Sequence, residues 1–105
     1  MDELKLLNLI NNTYKRFNNF EWIVLNDSVQ TYISLKKYKF KYSVCIYLIE
    51  STDSEGPLLG LQIEFLEDNV SSRFYIKNLI GTEEDVFNEV EEWLTYIKLA
   101  SHQLC

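Results

Sequence analysis

Between Lys39 and Ile49 the side chains fall into two alternating sets. Phe40, Tyr42, Val44, Ile46 and Leu48 share one side, and Lys39, Lys41, Ser43, Cys45 and Tyr47 share the other. A period of two over that length predicts a strand with one face on a core, because successive side chains of an extended chain point to opposite faces. It also constrains the neighbours, since a strand of this kind needs partners on both edges and a layer over its apolar face. The flanking sequence offers them. Phe20–Leu25 is apolar and β-branched, and Asn26, Asp27 and Ser28 form a turn. Val29–Leu35 alternates again, with Val29, Thr31, Ile33 and Leu35 opposite Gln30, Tyr32 and Ser34. After a polar loop over Ser51–Pro57, Leu59, Leu61, Ile63 and Phe65 point one way and Gln62 and Glu64 the other. Glu67–Ser72 turns the chain into a fifth run, Arg73–Ile80, with Phe74 and Ile76 expected inward.

Helical spacing brackets the strands. Leu6, Leu7, Ile10, Tyr14 and Phe17 predict one buried stripe on a helix from Asp2 to Asn18, which Asn18 and Asn19 are expected to close. Thr82 with Asp85 approximates a capping box for a last helix, with Val86, Val90, Trp93 and Ile97 as its core stripe and Phe87 and Leu94 beside it. Short connections favour antiparallel neighbours. The expected fold is α+β in the order α-β-β-β-β-β-α, a five-stranded antiparallel meander with both helices on one sheet face.

The 105 residues contain three Gly and one Pro, too little linker material for a second domain, so residues 1–105 are expected to form one domain. No apolar run approaches the ~20 residues of a membrane span. Asp2 and Glu3 open the chain where a signal peptide would carry basic residues, and a cytoplasmic location is expected.

Charge is divided unevenly. Residues 1–49 carry seven basic side chains against four acids, and residues 50–105 carry three against twelve, giving a net charge of −6. That balance disfavours direct nucleic-acid binding, which needs cations facing phosphates, and favours a basic protein partner. The run Lys36–Tyr42 interleaves lysines with aromatics as some single-strand binders do, yet alternation turns Phe40 and Tyr42 inward, and its lysines also suit the protection of a strand edge.

Catalytic patterns are missing. The single histidine, His102, precedes Cys105 by three residues, two possible ligands where zinc needs more, and no glycine-rich loop cradles a phosphate. No catalysis, cofactor or metal is expected.

Two surfaces stand out. The sheet face away from the helices is expected to show Tyr32, Tyr47 and Tyr75 among Lys41, Gln62, Glu64, Arg73 and Lys77. Tyrosine suits interfaces, although cross-strand tyrosines also stabilise an exposed sheet. On the last helix, Glu84, Asp85, Glu91 and Glu92 point away from the core stripe, with Leu99 among them and Tyr96 at their edge. Asp85, Glu89 and Glu92 repel one another at three- and four-residue spacing, and Lys98 is the one cation on that helix. The expectation is a negative face kept for a partner, with Leu99 or a tyrosine as anchor. A solvated helix face is the plainer explanation.

In size, charge and α+β layout the chain resembles small acidic proteins that neutralise or escort another protein: immunity proteins, antitoxins, phage-encoded inhibitors and secretion chaperones. No motif carries that resemblance, so no residue roles come with it. It implies an inhibitory binding protein that occludes the basic surface of a partner such as a nuclease toxin or a nucleic-acid-handling effector. The alternative is a secretion-type chaperone or dimeric scaffold using the outer sheet face, and either a monomer or a homodimer fits.

Overall fold

The computed structural model describes residues 3–35, 40–49, 58–67 and 73–103; the side chains at 35, 40, 66, 67, 73–76 and 97–103 lie outside that description. The element order is α1 (Glu3–Arg16), β1 (Ile23–Leu25), β2 (Ser28–Leu35), β3 (Phe40–Ile49), β4 (Leu58–Glu67), β5 (Arg73–Gly81) and α2 (Glu83–Gln103). The strands form one sheet in sequence order, each antiparallel to the last. This is the expected α+β meander, with α1 lying on β2, and α2 on β4 and β5. Among the described residues, no helix is long and apolar enough to cross a membrane.

Register follows from alternation. Val29 pairs with Ile46, Thr31 with Val44, Val44 with Ile63, and Ile46 with Leu61, so the inward set forms continuous rows under the helices. Slipping any strand by one residue would turn its apolar set to water, which is why the register is fixed. Val29, Val44, Ile46, Leu61, Ile63, Val86 and Val90 are fully buried. The β1–β2 turn places Asn26 at φ 51°, a left-handed conformation that Asn tolerates better than most residues.

Five antiparallel strands, an odd number, bring α2 back in the direction of α1. Side chains join the two helices in matching order: Asn12 donates to Glu83 (2.7 Å), and the Phe17 ring meets Phe87 edge-on at 5.5 Å. The chain leaves α1 through a tight corner. The Phe17 carbonyl accepts from both the Phe20 N–H (3.3 Å) and the Trp22 indole (3.1 Å), which fixes Trp22 in the core. Those two bonds close the helix end, and neither Asn18 nor Asn19 takes the left-handed conformation expected of them. The corner also shortens the first strand to Ile23–Leu25, where Phe20–Leu25 was expected.

The buried face of α1 differs from the expected stripe. Leu9 and Thr13 are buried with Phe17, whereas Leu7 and Tyr14 are exposed. Apolar residues occupy so much of the α1 circumference that spacing alone does not select the buried arc. Thr13 can enter the core because its hydroxyl donates back to the Leu9 carbonyl (2.6 Å). On α2, Phe87 and Leu94 join Val86 and Val90 in the core, and Trp93 is only half-buried.

An irregularity between Ile63 and Glu64 is the other departure. Glu64 pairs with Tyr75 while Ile63 pairs with Lys77, so Ile76 is an extra residue in β5. The bulge reverses parity and moves Lys77 from the expected outer face to the helix-covered face, where it pairs with Glu89 (3.3 Å).

Truncation distinguishes the two descriptions of α1. Leu9→Ala should cost about 2–5 kcal/mol by removing a core side chain. Leu7→Ala should fall within about 0.5 kcal/mol. Urea denaturation checks both values, and the reverse order would restore the original stripe.

Candidate functional site

The acidic segment starts from its cap. The Asp85 N–H donates to the Thr82 hydroxyl (3.2 Å), and the Thr82 N–H donates to the Asp85 carboxylate (3.4 Å), reciprocal bonds that start α2. Glu83, Glu84 and Asp85 in the first turn also meet the positive end of the helix dipole. Asp85 is exposed, but its carboxylate serves the helix.

Two of the α2 acids, Glu89 and Glu91, are compensated by cations from other elements, contrary to what the isolated helix suggests. Arg16 of α1 donates to Glu91 through Nε (3.0 Å) and a terminal nitrogen (2.6 Å), and to the Asn88 side chain (2.8 Å). Its guanidinium also lies 5.9 Å from the centre of the Phe87 ring. Lys77 answers Glu89, and Asn12 answers Glu83. Part of the crowding of negative charge is therefore ordinary tertiary pairing. The Arg16–Glu91 contact is well exposed and holds no more than about 1 kcal/mol, so a competing cation can displace it.

Glu84 and Glu92 remain as exposed acids with no ion pair among the described residues. Glu92 and Tyr96, one turn apart, form a ridge between two depressions. One, of about 450 Å³, lies towards α1 and is lined by Arg16, Asn88, Glu91 and Thr95. The other, of about 490 Å³, lies towards β5 and is lined by Lys77, Glu89 and Trp93. Tyr96 is 70% exposed, with its ring 6.4 Å from that of Trp93 at an interplanar angle of 61°. Of the expected residues, Glu84, Asp85, Glu91 and Glu92 share this exposed face of α2. Leu99 belongs to the helix, but its side chain lies outside the described residues. Sequence spacing put Tyr96 at the margin and Trp93 in the core; the fold puts Tyr96 on the ridge and a half-buried Trp93 beside it. No local signal pointed to Arg16 or Lys77, which reach α2 only through the tertiary structure.

The tyrosines of the outer sheet face do not converge. Tyr32 is exposed and lies under the Lys41 ammonium, 5.0 Å from the ring centre. Tyr47 is half-buried, with its ring over Gly60, the residue opposite it on β4. A methyl group on Gly60 would clash with that ring. Tyr75 stands opposite Glu64 in the register, and its side chain lies outside the described residues. Ser43 and Glu64 are buried on this face, and Gln30 donates to the Ser43 hydroxyl (2.7 Å). Much of the face is engaged in its own contacts. The basic run from Lys36 to Lys39, the loop at 51–57 and Cys105 lie outside the described residues.

Among the described residues, no group of three or more His, Cys, Asp or Glu side chains could hold a metal ion. Comparison of the chain with protein-family models, curated proteins and solved structures yields no match. The fold class, α+β, stands on the architecture itself.

Cys45, on the outer face, has its thiol pKa pushed up by burial, against the opposing effect of a hydrogen bond with Ser28; Glu64 and Asp27 push it further up. A raised thiol pKa means that the unfolded chain loses its proton first as pH rises. This contribution to stability is intact below the ordinary thiol pKa and is lost as pH rises through the folded value. Iodoacetamide at pH 8 should therefore label Cys45 several-fold more slowly in the folded protein than in urea. Equal rates would mean that the thiol is not desolvated.

Proposed function

We propose that this chain is a small inhibitory binding protein whose exposed α2 face occludes a basic surface of a partner protein. The reading rests on Tyr96, a large side chain 70% exposed beside Glu92 between two depressions. Such a ridge can insert between basic side chains of a partner, with the tyrosine as anchor and Glu84 and Glu92 as negative flanks. Glu91 joins them when a partner cation displaces Arg16. Long-range attraction speeds encounter and selects the partner, and the buried aromatic contact slows release. A nuclease toxin or another nucleic-acid-handling effector has the required chemistry, because its substrate cleft is basic. The outer sheet face suits a scaffold less well, since its tyrosines are separated and partly engaged. The chain is read as a binding protein, not a catalyst. A cytoplasmic site of action accords with Cys45 as a free thiol.

Capture from the native source with immobilised protein tests the proposal. Glu84→Lys/Glu92→Lys and Tyr96→Ala should each reduce recovery of the partner at least tenfold with unchanged circular dichroism. Retention by wild type should weaken steeply as salt rises past physiological strength, where the screening length falls below ~8 Å. If both variants retain the same proteins as tightly as wild type, the α2 face is not the contact surface.

A further inference from the structure

Arg16 shows how a guanidinium is held on α2. It donates through two nitrogens to the Glu91 carboxylate (3.0 and 2.6 Å) and lies 5.9 Å from the centre of the Phe87 ring. Phe87 and Glu91 are one helical turn apart, so ring and carboxylate meet the cation from neighbouring turns. A guanidinium suits both, because its plane stacks on an aromatic face while its forked edge donates to a carboxylate.

The same pairing of acid and ring recurs on the other side of the Glu92–Tyr96 ridge. Glu89 precedes Trp93 by four residues, and Glu92 precedes Tyr96 by four. With Lys77, these four side chains line the depression of about 490 Å³ towards β5. The two rings stand 6.4 Å apart at 61°, an angled wall rather than a closed stack. Glu89 and Glu92 against Lys77 leave the depression negative, and Lys77 is committed to Glu89 at 3.3 Å. Glu92 has no ion pair among the described residues. The groups that hold Arg16 are therefore repeated, and among the described residues no guanidinium lines this second place.

We infer that this depression takes an arginine side chain of the partner protein, with Glu92 accepting from the guanidinium and the Tyr96 and Trp93 rings flanking it. The inference rests on the α2 face being the contact surface and names the partner residue which that face reads. Arginine fits better than lysine for two reasons. Its planar fork uses a carboxylate and a ring at once, and it is more weakly hydrated than an ammonium. Lys77 limits the affinity, since an incoming cation approaches a like charge and finds Glu89 engaged. An exposed cation–π contact with one exposed ion pair holds an isolated arginine weakly, with a dissociation constant on the order of 10 mM. In a complex the surrounding contacts exclude water, and the same arginine becomes costly to remove.

An NMR titration of isotope-labelled protein with acetyl-Gly-Arg-Gly-amide, at fixed low ionic strength, tests the inference with no partner present. The Trp93 indole signal, assigned by its absence in Trp93→Phe, should shift and saturate together with the Glu92 and Tyr96 amides. Acetyl-Gly-Lys-Gly-amide should bind at least threefold more weakly. Tyr96→Ala and Glu92→Gln should each weaken the arginine peptide at least threefold with unchanged circular dichroism. Lys77→Met should tighten it at least threefold, by removing the like charge and freeing Glu89. The inference is overturned if the Trp93 signal stays in place up to about 100 mM peptide in both wild type and Lys77→Met. Equal binding of the lysine and arginine peptides would also overturn it. Either failure leaves the capture experiment, and the α2 face as contact surface, unaffected. Failure of the capture experiment with the peptide still bound would instead reject that face as the place where the partner docks.

Discussion

The architecture depends on one buried layer, where Val29, Val44, Ile46, Leu61 and Ile63 of the sheet meet Val86 and Val90 of α2. All seven side chains are shut off from water, and the five from the sheet are held in rows by the strand register. These β-branched and leucine side chains carry no polar atoms, so the layer gains free energy by burial without needing hydrogen bonds from its side chains. Once it forms, α2 has only one face to show to solvent. That face carries the acids, with Trp93 at its margin and Tyr96 fully on it. The candidate site is therefore a consequence of core packing rather than a separately built pocket.

Polar contacts then refine the placement. Thr13 and Trp22 bury polar atoms only because each donates to a backbone carbonyl nearby. Arg16 and Lys77 link α1 and β5 to the acidic side of α2. The Arg16–Glu91 pair is exposed and adds little stability, but the two pairs decide which carboxylates stay open to solvent. Glu89 and Glu83 are engaged, Glu91 is held loosely, and Glu84 and Glu92 face solvent. The charge asymmetry of the sequence thus narrows to a small negative area around an aromatic ridge.

The sheet was readable in the sequence because period-two alternation persists through Phe40–Ile49 and reappears at Val29–Leu35 and Leu59–Phe65. Turn residues separate these runs, and short connections leave a meander as the simplest path. The α2 cap was readable from Thr82 and Asp85 for similarly local reasons. The rotation of α1 was not. Leu4, Leu6, Leu7, Leu9 and Ile10 cluster too densely for spacing to choose a face, and the back-bonded Thr13 disguises a core position as polar. The bulge at Ile76 was equally hidden, since one extra residue leaves no compositional mark while reversing the side to which Lys77 belongs. The compensation of the acids by Arg16 and Lys77 is a long-range property that no helical wheel contains. Of the candidate site, the exposed acids were legible and the central place of Tyr96 was not.

The central claim is that the exposed α2 face around Glu92 and Tyr96 is where this protein meets a partner. Amide chemical-shift mapping by NMR, with a partner recovered by capture titrated into labelled protein, examines that claim residue by residue. The account predicts perturbations centred on Glu84–Tyr96, extending to Arg16 and Lys77 as their ion pairs rearrange. Perturbations centred instead on Tyr32, Lys41 and Tyr47, with α2 unchanged, would contradict it and assign the interaction to the outer sheet face.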